Sequence, residues 1–178
     1  MSQSNDTLVF VPVRQPDQIQ SVSDLAGPIW RESFTSIIGP EQVEFMLVDW
    51  QSPKAISTQI QEGACYFLAM LQGQAIGYCA WIGNTDGRAK ISKFYLCSTH
   101  YGKGFAQPMM QFLENEAHHA GMHTLWLQVN RHNHRAIRFY HKSGFRIVRD
   151  QYQQVGPGFF IDDHIMEKKI TLPEKHAA

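Results

Sequence analysis

Residues Ile91 to Ala120 restrict the fold more than any other stretch, because a strand, a glycine-punctuated turn and a helix follow one another without a break. Ile91-Ser92-Lys93-Phe94-Tyr95-Leu96-Cys97 is short, with the β-branched and aromatic character of a buried strand. The turn is Ser98 to Ala106, with glycines at 102 and 104. Phe105, Met109, Phe112, Leu113, Ala117 and Ala120 then recur at helical spacing, with Gln107, Gln111, Glu114, Asn115 and His118 between them, so one apolar face runs along a polar helix. Glycines at this point let backbone N–H groups converge on the helix start, where the dipole favours negative charge. The stretch therefore predicts an anion site, with a pyrophosphate as its best ligand and Lys103 as an added point charge. A tight structural connection would carry the same glycines.

Two phosphate motifs are excluded. There is no G-x-x-x-x-G-K-[ST] loop, and the third glycine position of a dinucleotide fingerprint is Gln107. The next strand, Thr124 to Val129, runs into Asn130 rather than an acidic residue that would hold a ribose.

The chain has 178 residues, enough for one domain (1–178) with a full core, and sixteen basic residues balance sixteen acidic ones. That balance lacks the basic footprint of a nucleic-acid binder, so no nucleic acid is expected. No apolar run reaches membrane-spanning length and Met1 to Asp6 lacks a secretory pattern, so no membrane partner and a cytoplasmic location are expected. Cys65, Cys79 and Cys97 are odd in number and each lies in a strand-like run, as small core residues of a reducing compartment do. His118, His119, His123, His132, His134 and His141 lack ligand spacing, and no metal site is expected.

In order, Leu8 to Val13 reads as a strand closed by Pro16. Asp24 is expected to cap a helix through Ile38, stopped by Gly39-Pro40, and Glu41 opens a second helical run to Trp50, interrupted at Ser52-Pro53. Ala55 to Gln61 looks helical again. Cys65–Leu71 and Ala75–Ile82 form a hairpin across Gln72-Gly73-Gln74, and a further strand begins near Arg88. After the central helix come the strand at 124–129, a short helix from His134 capped by Asn133, and two strands flanking Gly156-Pro157-Gly158. Pro173 to Ala178 is expected to fray. The expectation is an α/β fold: a mixed central sheet of about seven strands with about four helices, and one crossover helix between neighbouring parallel strands.

Asn130 to Phe145 carries the second signal. Asn133, Ala136, Phe139, Tyr140, Lys142, Gly144 and Phe145 match Asn-x-x-Ala-x-x-Phe-Tyr-x-Lys-x-Gly-Phe, while Gly104 and Ala106 match the end of a Gln/Arg-x-x-Gly-x-Gly/Ala loop. Together these resemble the GNAT superfamily of acyl-CoA-dependent N-acyltransferases. Tyr101 departs from the pattern, standing where Gln or Arg is usual. Asp24 to Phe34, with Trp30, Glu32 and Phe34, and the ending Gly156 to Glu167 resemble the Pai-type polyamine (spermidine/spermine) branch.

The resemblance implies acetyl transfer from acetyl-CoA to an amine, with polyamines first. It implies that a bulge splays the strand at 91–97 from the strand at 124–129 and that the pantetheine arm inserts between them. Leu96 and Cys97 would pair with that arm, Gly102, Lys103, Gly104, Phe105, Ala106 and Gln107 would hold the pyrophosphate, and Asn133 and Lys142 would approach the cofactor from the later helix. Tyr140 is the expected general acid, although a core aromatic would share its spacing. A protonated amine must also lose a proton. Glu32 is the candidate acceptor, although a solvated helix residue would look the same. Asp162 and Asp163 are candidates for attracting the cation. The resemblance admits a homodimer, and it leaves two rivals: acetylation of a protein N-terminus or lysine, and an idle acyl-CoA sensor.

Overall fold

Three prolines set the first third of the chain. The computed structural model describes residues 7–171, so the expectation for Pro173 to Ala178 lies outside the described residues. After a short strand β1 (Val9–Pro12), helices α1 (Pro16–Ile38), α2 (Pro40–Gln51) and α3 (Pro53–Gln61) each begin on a proline. At the first helical position proline costs no hydrogen bond and its fixed φ suits the helix. Pro16 thus opens α1 rather than merely closing β1. Gln18 accepts from the N–H groups of Arg14 (2.7 Å) and Gln15 (2.9 Å), satisfying donors at the entry to the helix. Asp24, expected as the cap, lies mid-helix and accepts from Gln20 at 2.8 Å. Ser52 caps α3 by accepting from the Ala55 N–H at 3.3 Å, and five α-helices stand among the described residues, in line with the expectation of about four.

The remaining elements follow the expected order: β2 (Cys65–Leu71), β3 (Gln74–Gly83), β4 (Arg88–Leu96), α4 (Ala106–His119), β5 (Thr124–Asn130), α5 (His134–Lys142), β6 (Arg146–Gly156) and β7 (Phe159–Lys169). All seven strands form one mixed sheet, ordered β1-β2-β3-β4-β5-β7-β6. Its parallel pair is β4 and β5, joined through α4 as expected. One face packs with Met109, Met110, Leu113 and Ala117 of α4, all fully buried. The other packs with α1 to α3 through Val22, Ala26, Ile29, Trp30, Val43 and Ile56. Burying each large side chain contributes about 1.5–3 kcal/mol, which holds both layers to the sheet.

Two irregularities in β4 position everything that follows. Ala80 pairs with Lys93 but Trp81 pairs with Ile91, so Ser92 is an extra residue in β4. Ile91 packs on the α4 face, whereas the Lys93 ammonium lies over the Tyr66 ring on the α1–α3 face. Simple alternation would have put both on one side. The second irregularity is the closeness of β3: a Cβ at Gly77 would meet the Tyr95 carbonyl oxygen at 2.3 Å and the Leu96 Cα at 3.0 Å. Backbone cannot yield as a flexible side chain can. Gly77→Ala is therefore expected to cost about 1–3 kcal/mol in a thermal melt. Gly27→Ala on α1, where the new carbon meets only the Arg31 side chain at 3.0 Å, is expected to be neutral or stabilising. Equal melting temperatures for wild type and Gly77→Ala would contradict this packing.

Candidate active site

Strands β4 and β5 run together for only three pairs, Arg88 with Thr124, Ala89 with Leu125 and Lys90 with Trp126. Beyond them the strands part, starting where Ser92 bulges. The Cys97 N–H donates to the Ile76 carbonyl on β3 at 2.8 Å, and its own carbonyl accepts from the His100 N–H at 2.9 Å. Cys97 therefore spends its backbone internally, contrary to the expectation for it. By alternation, the Leu96 peptide groups face the gap toward β5.

The gap opens onto the glycine turn. Gly102 (φ 72°) and Gly104 (φ 85°) occupy the left-handed region, and no atom lies within 4 Å of a Cβ built on either. From Gly102 to Gln107, six successive N–H groups donate to no carbonyl among the described residues. They surround the N-terminus of α4, so dipole and orphan donors point the same way. The turn thus presents free donors at the helix start, where the sequence sets the expected anion site.

Helix α5 forms the opposite wall. The Asn133 side chain accepts from the Ala136 N–H at 3.2 Å, fixing the helix start, and Asn133 and Lys142 both line the cavity. Arg135 lays its guanidinium over the Tyr101 ring at 3.6 Å from the centroid. Tyr101, the departure from the family loop, thus holds an arginine from another helix beside the cradle. Tyr140 is buried against Phe94, Phe139 and Phe145, with centroids 5.6–6.1 Å away. Burial pushes its phenol well above the usual range, offset in part by the Arg135 charge, so it stays protonated at neutral pH.

A single cavity of about 920 Å³ joins these parts and continues to the α1–α3 face. There its wall is largely aromatic and apolar: Trp30, Phe34, Ile38, Met46 and Trp50 from the helices, Val155 and Ile161 from β6 and β7. Lys93 and Asp163 interrupt it, both buried. Desolvation, then the charge of Lys90, brings the Lys93 ammonium down to about 8. Desolvation and the neighbouring Asp162 charge raise Asp163 to about 6, with Lys90 opposing. Asp162 is held by Arg131 at 2.7 Å.

Of the expected residues, the cavity wall brings together Leu96, Gly102, Gly104, Phe105, Ala106, Gln107, Asn133, Tyr140, Lys142 and Asp163. Lys103 is exposed and outside the lining. Glu32 is exposed as well, two residues from Trp30 and therefore on the far side of α1 from the lining residues Trp30, Ser33 and Phe34. Its carboxylate nonetheless lies within electrostatic reach of Cys97, whose thiol is raised by burial and, to a lesser degree, by the Glu32 charge. The residues not foreseen are Lys93, whose direction depends on the bulge, and Arg135, which occupies a variable place in the helix motif. Among the described residues no group of three or more His, Cys, Asp and Glu side chains is arranged to hold a metal, and no helix is long and apolar enough to cross a membrane.

A model of the acetyltransferase (GNAT) family matches residues 24–145. Uncharacterized N-acetyltransferases of Mycobacterium tuberculosis and Mycobacterium bovis are 33% identical over 99 residues, a match spanning 56% of this chain and 63% of each relative. Among solved structures, the PaiA N-acetyltransferase of Thermoplasma acidophilum in complex with coenzyme A superposes with a TM-score of 0.76 at 20% identity, covering 92% of this chain and 99% of that one. The spermidine N-acetyltransferase of Vibrio cholerae in complex with CoA and spermine gives 0.69 at 17% identity, covering 93% and 97%. At such identities these structures share the fold.

The buried lysine has a consequence for stability. Its folded pKa, about 8, lies below the ordinary 10.5, so the native state resists the charged form. The resulting penalty is present in full below pH 8 and fades as pH rises toward 10.5. Lys93→Met is expected to raise the melting temperature at pH 7, each kcal/mol being worth roughly 2–4 °C in a domain of this size, with a smaller gain at pH 10. A gain independent of pH, or a loss at pH 7, would contradict the burial of an uncompensated ammonium.

Proposed function

The chain belongs to the acetyltransferase (GNAT) family, and on that premise we propose that it transfers an acetyl group from acetyl-CoA to a primary amine of a small molecule. The observation that carries this reading is the run of unmatched N–H groups from Gly102 to Gln107 at the mouth of the β4–β5 gap. Those donors fit a pyrophosphate, and the parted strands fit an extended arm that completes the ladder as an added strand would. Leu96, Gly102, Gly104, Phe105, Ala106, Gln107, Asn133 and Lys142 would hold the group. Arg135 on Tyr101 supplies a cation near the place where the family loop has Gln or Arg.

Acetyl-CoA supplies the acyl group as an activated thioester. The chain supplies position and protons. Both substrates share one cavity, which supports direct attack in a ternary complex, with much of the rate coming from holding the amine against the thioester. Tyr140 keeps its proton at neutral pH and can deliver it to the departing thiolate, a group with a thiol-like pKa of about 8.5. Asp163, ionised above about 6 and part of the cavity wall, is better placed than the exposed Glu32 to take the ammonium proton.

The acceptor end of the cavity is walled by α1, α2, β6 and β7 with mostly apolar side chains, which suits a small molecule. Polyamines, the narrower expectation, find carboxylates at Glu62 and Asp163, but they also meet the buried Lys93. A polycation and a buried ammonium repel each other, so we hold the substrate class at small primary amines. The test is a thiol-release assay with acetyl-CoA and a panel of spermine, spermidine, a diamine, lysine and N-terminal peptides. Turnover of small amines is expected, and turnover of peptides alone would overturn the acceptor class. Tyr140→Phe is expected to lower kcat by about 100-fold with little change in KM for acetyl-CoA. An unchanged kcat would remove Tyr140 from the chemistry.

A further inference from the structure

The acceptor end of the cavity is furnished with donors that have no partner. Lys93 is 9% exposed, and its ammonium makes no hydrogen bond or ion pair among the described residues, only a 5.9 Å contact with the face of Tyr66. Gln51 is 2% exposed. Its oxygen accepts from the Tyr78 hydroxyl at 3.0 Å, which leaves its amide N–H₂ unmatched. Trp30 Nε1 is likewise buried and makes no well-formed hydrogen bond, standing near the Tyr78 hydroxyl that donates to Gln51. All three residues belong to the cavity wall.

The sheet register sets them over adjacent rows of one face. Tyr66, Ala80 and Lys93 form one row across β2, β3 and β4, while Leu68, Tyr78 and Tyr95 form the next row on the same face. Gln51 hangs from Tyr78, and Trp30 packs on Tyr95 with centroids 5.7 Å apart. Buried donors left unpaired are costly, and a buried ammonium more so. One kind of ligand group relieves them together: an oxygen-rich anion.

We propose that the acceptor amine also carries a carboxylate, seated on Lys93 beside Gln51 and Trp30, so that the substrate is an amino acid with an apolar or aromatic body. This deepens the acetyl-transfer reading and rests on it. The apolar wall of Phe34, Ile38, Met46 and Trp50 takes the body. Asp163, which lies nearer the Lys90 charge, takes the ammonium end before attack. The ammonium gives one proton to Asp163, and the freed amine nitrogen forms the new bond to the acyl carbon as the carbon–sulfur bond breaks. The thiolate leaves as the thiol with a proton from Tyr140, which the nitrogen's second proton replaces, and the carboxylate takes no part in the exchange.

The experiment pairs each acid with the amine that lacks its carboxylate: L-phenylalanine with phenethylamine, and 6-aminohexanoate with hexylamine, with spermidine alongside. The full chain and Lys93→Met are assayed for thiol release, and equilibrium binding of the same compounds to each protein is measured calorimetrically in the presence of CoA. A charged hydrogen bond of this kind is worth about tenfold or more in affinity. At least one acid is therefore expected to exceed its paired amine by about that factor in kcat/KM, through KM, and the ratio is expected to fall to about one in Lys93→Met. Preference for the plain amine or spermidine, or a ratio that survives in Lys93→Met, overturns the proposal. If no compound releases thiol, the acetyl-transfer reading fails while the binding data still decide: Lys93-dependent binding of the acid upholds the carboxylate seat, and absence of binding overturns it.

Discussion

The extra residue that Ser92 inserts into β4, opposite Ala80 and Trp81, has two effects at once. It coincides with the place where β4 leaves β5, and it reverses which face of the sheet each following side chain meets. The first effect opens a gap edged by the Leu96 peptide. The second turns Lys93 and Tyr95 toward α1 and α2 and leaves Phe94 and Leu96 for α4 and α5. Both ends of the cavity therefore depend on one irregularity. The close approach of β3 to the bulged strand is possible because Gly77 has no side chain: an added Cβ would meet the Tyr95 carbonyl oxygen at 2.3 Å.

The two ends of the cavity have different electrostatic characters. At the cradle, the dipole of α4, the orphan N–H groups and Arg135 all favour an anion. At the acceptor end, apolar walls lower the local polarity, so the few charged groups there are displaced from their ordinary titration ranges. Tyr140 stands between these regions, packed by Phe94, Phe139 and Phe145, where burial keeps its proton in place. A protonated phenol in the middle, free N–H donors on one side and a largely apolar pocket on the other are the features from which the proposed acyl transfer is argued.

Much of this was legible in the sequence because periodicity and glycine placement act locally. A strand ending at Leu96, the turn through Gly102 and Gly104 and the helix after it all stand in the order and place that composition and helical spacing put them. The capping role of Asn133 followed from its side-chain chemistry. What was illegible came from relations between distant segments. Prolines 16, 40 and 53 look alike as breaks or as helix starts until the flanking backbone is known. The bulge at Ser92 exists only relative to β3, so the direction of Lys93 had no local signature. The exposure of Glu32 depends on its phase relative to Trp30 and Phe34, which matters only once the helix is docked. Cys97 looked free until Ile76 and His100 were seen to use its backbone.

The central claim is that the parted strands and the glycine turn together bind acetyl-CoA. Amide hydrogen exchange of the whole chain, with and without coenzyme A, tests it residue by residue. Slowed exchange is expected at Leu96 and across Gly102 to Gln107, with little change on β1 and β2. Protection confined to other segments, or none at the glycine turn under saturating coenzyme A, would contradict it.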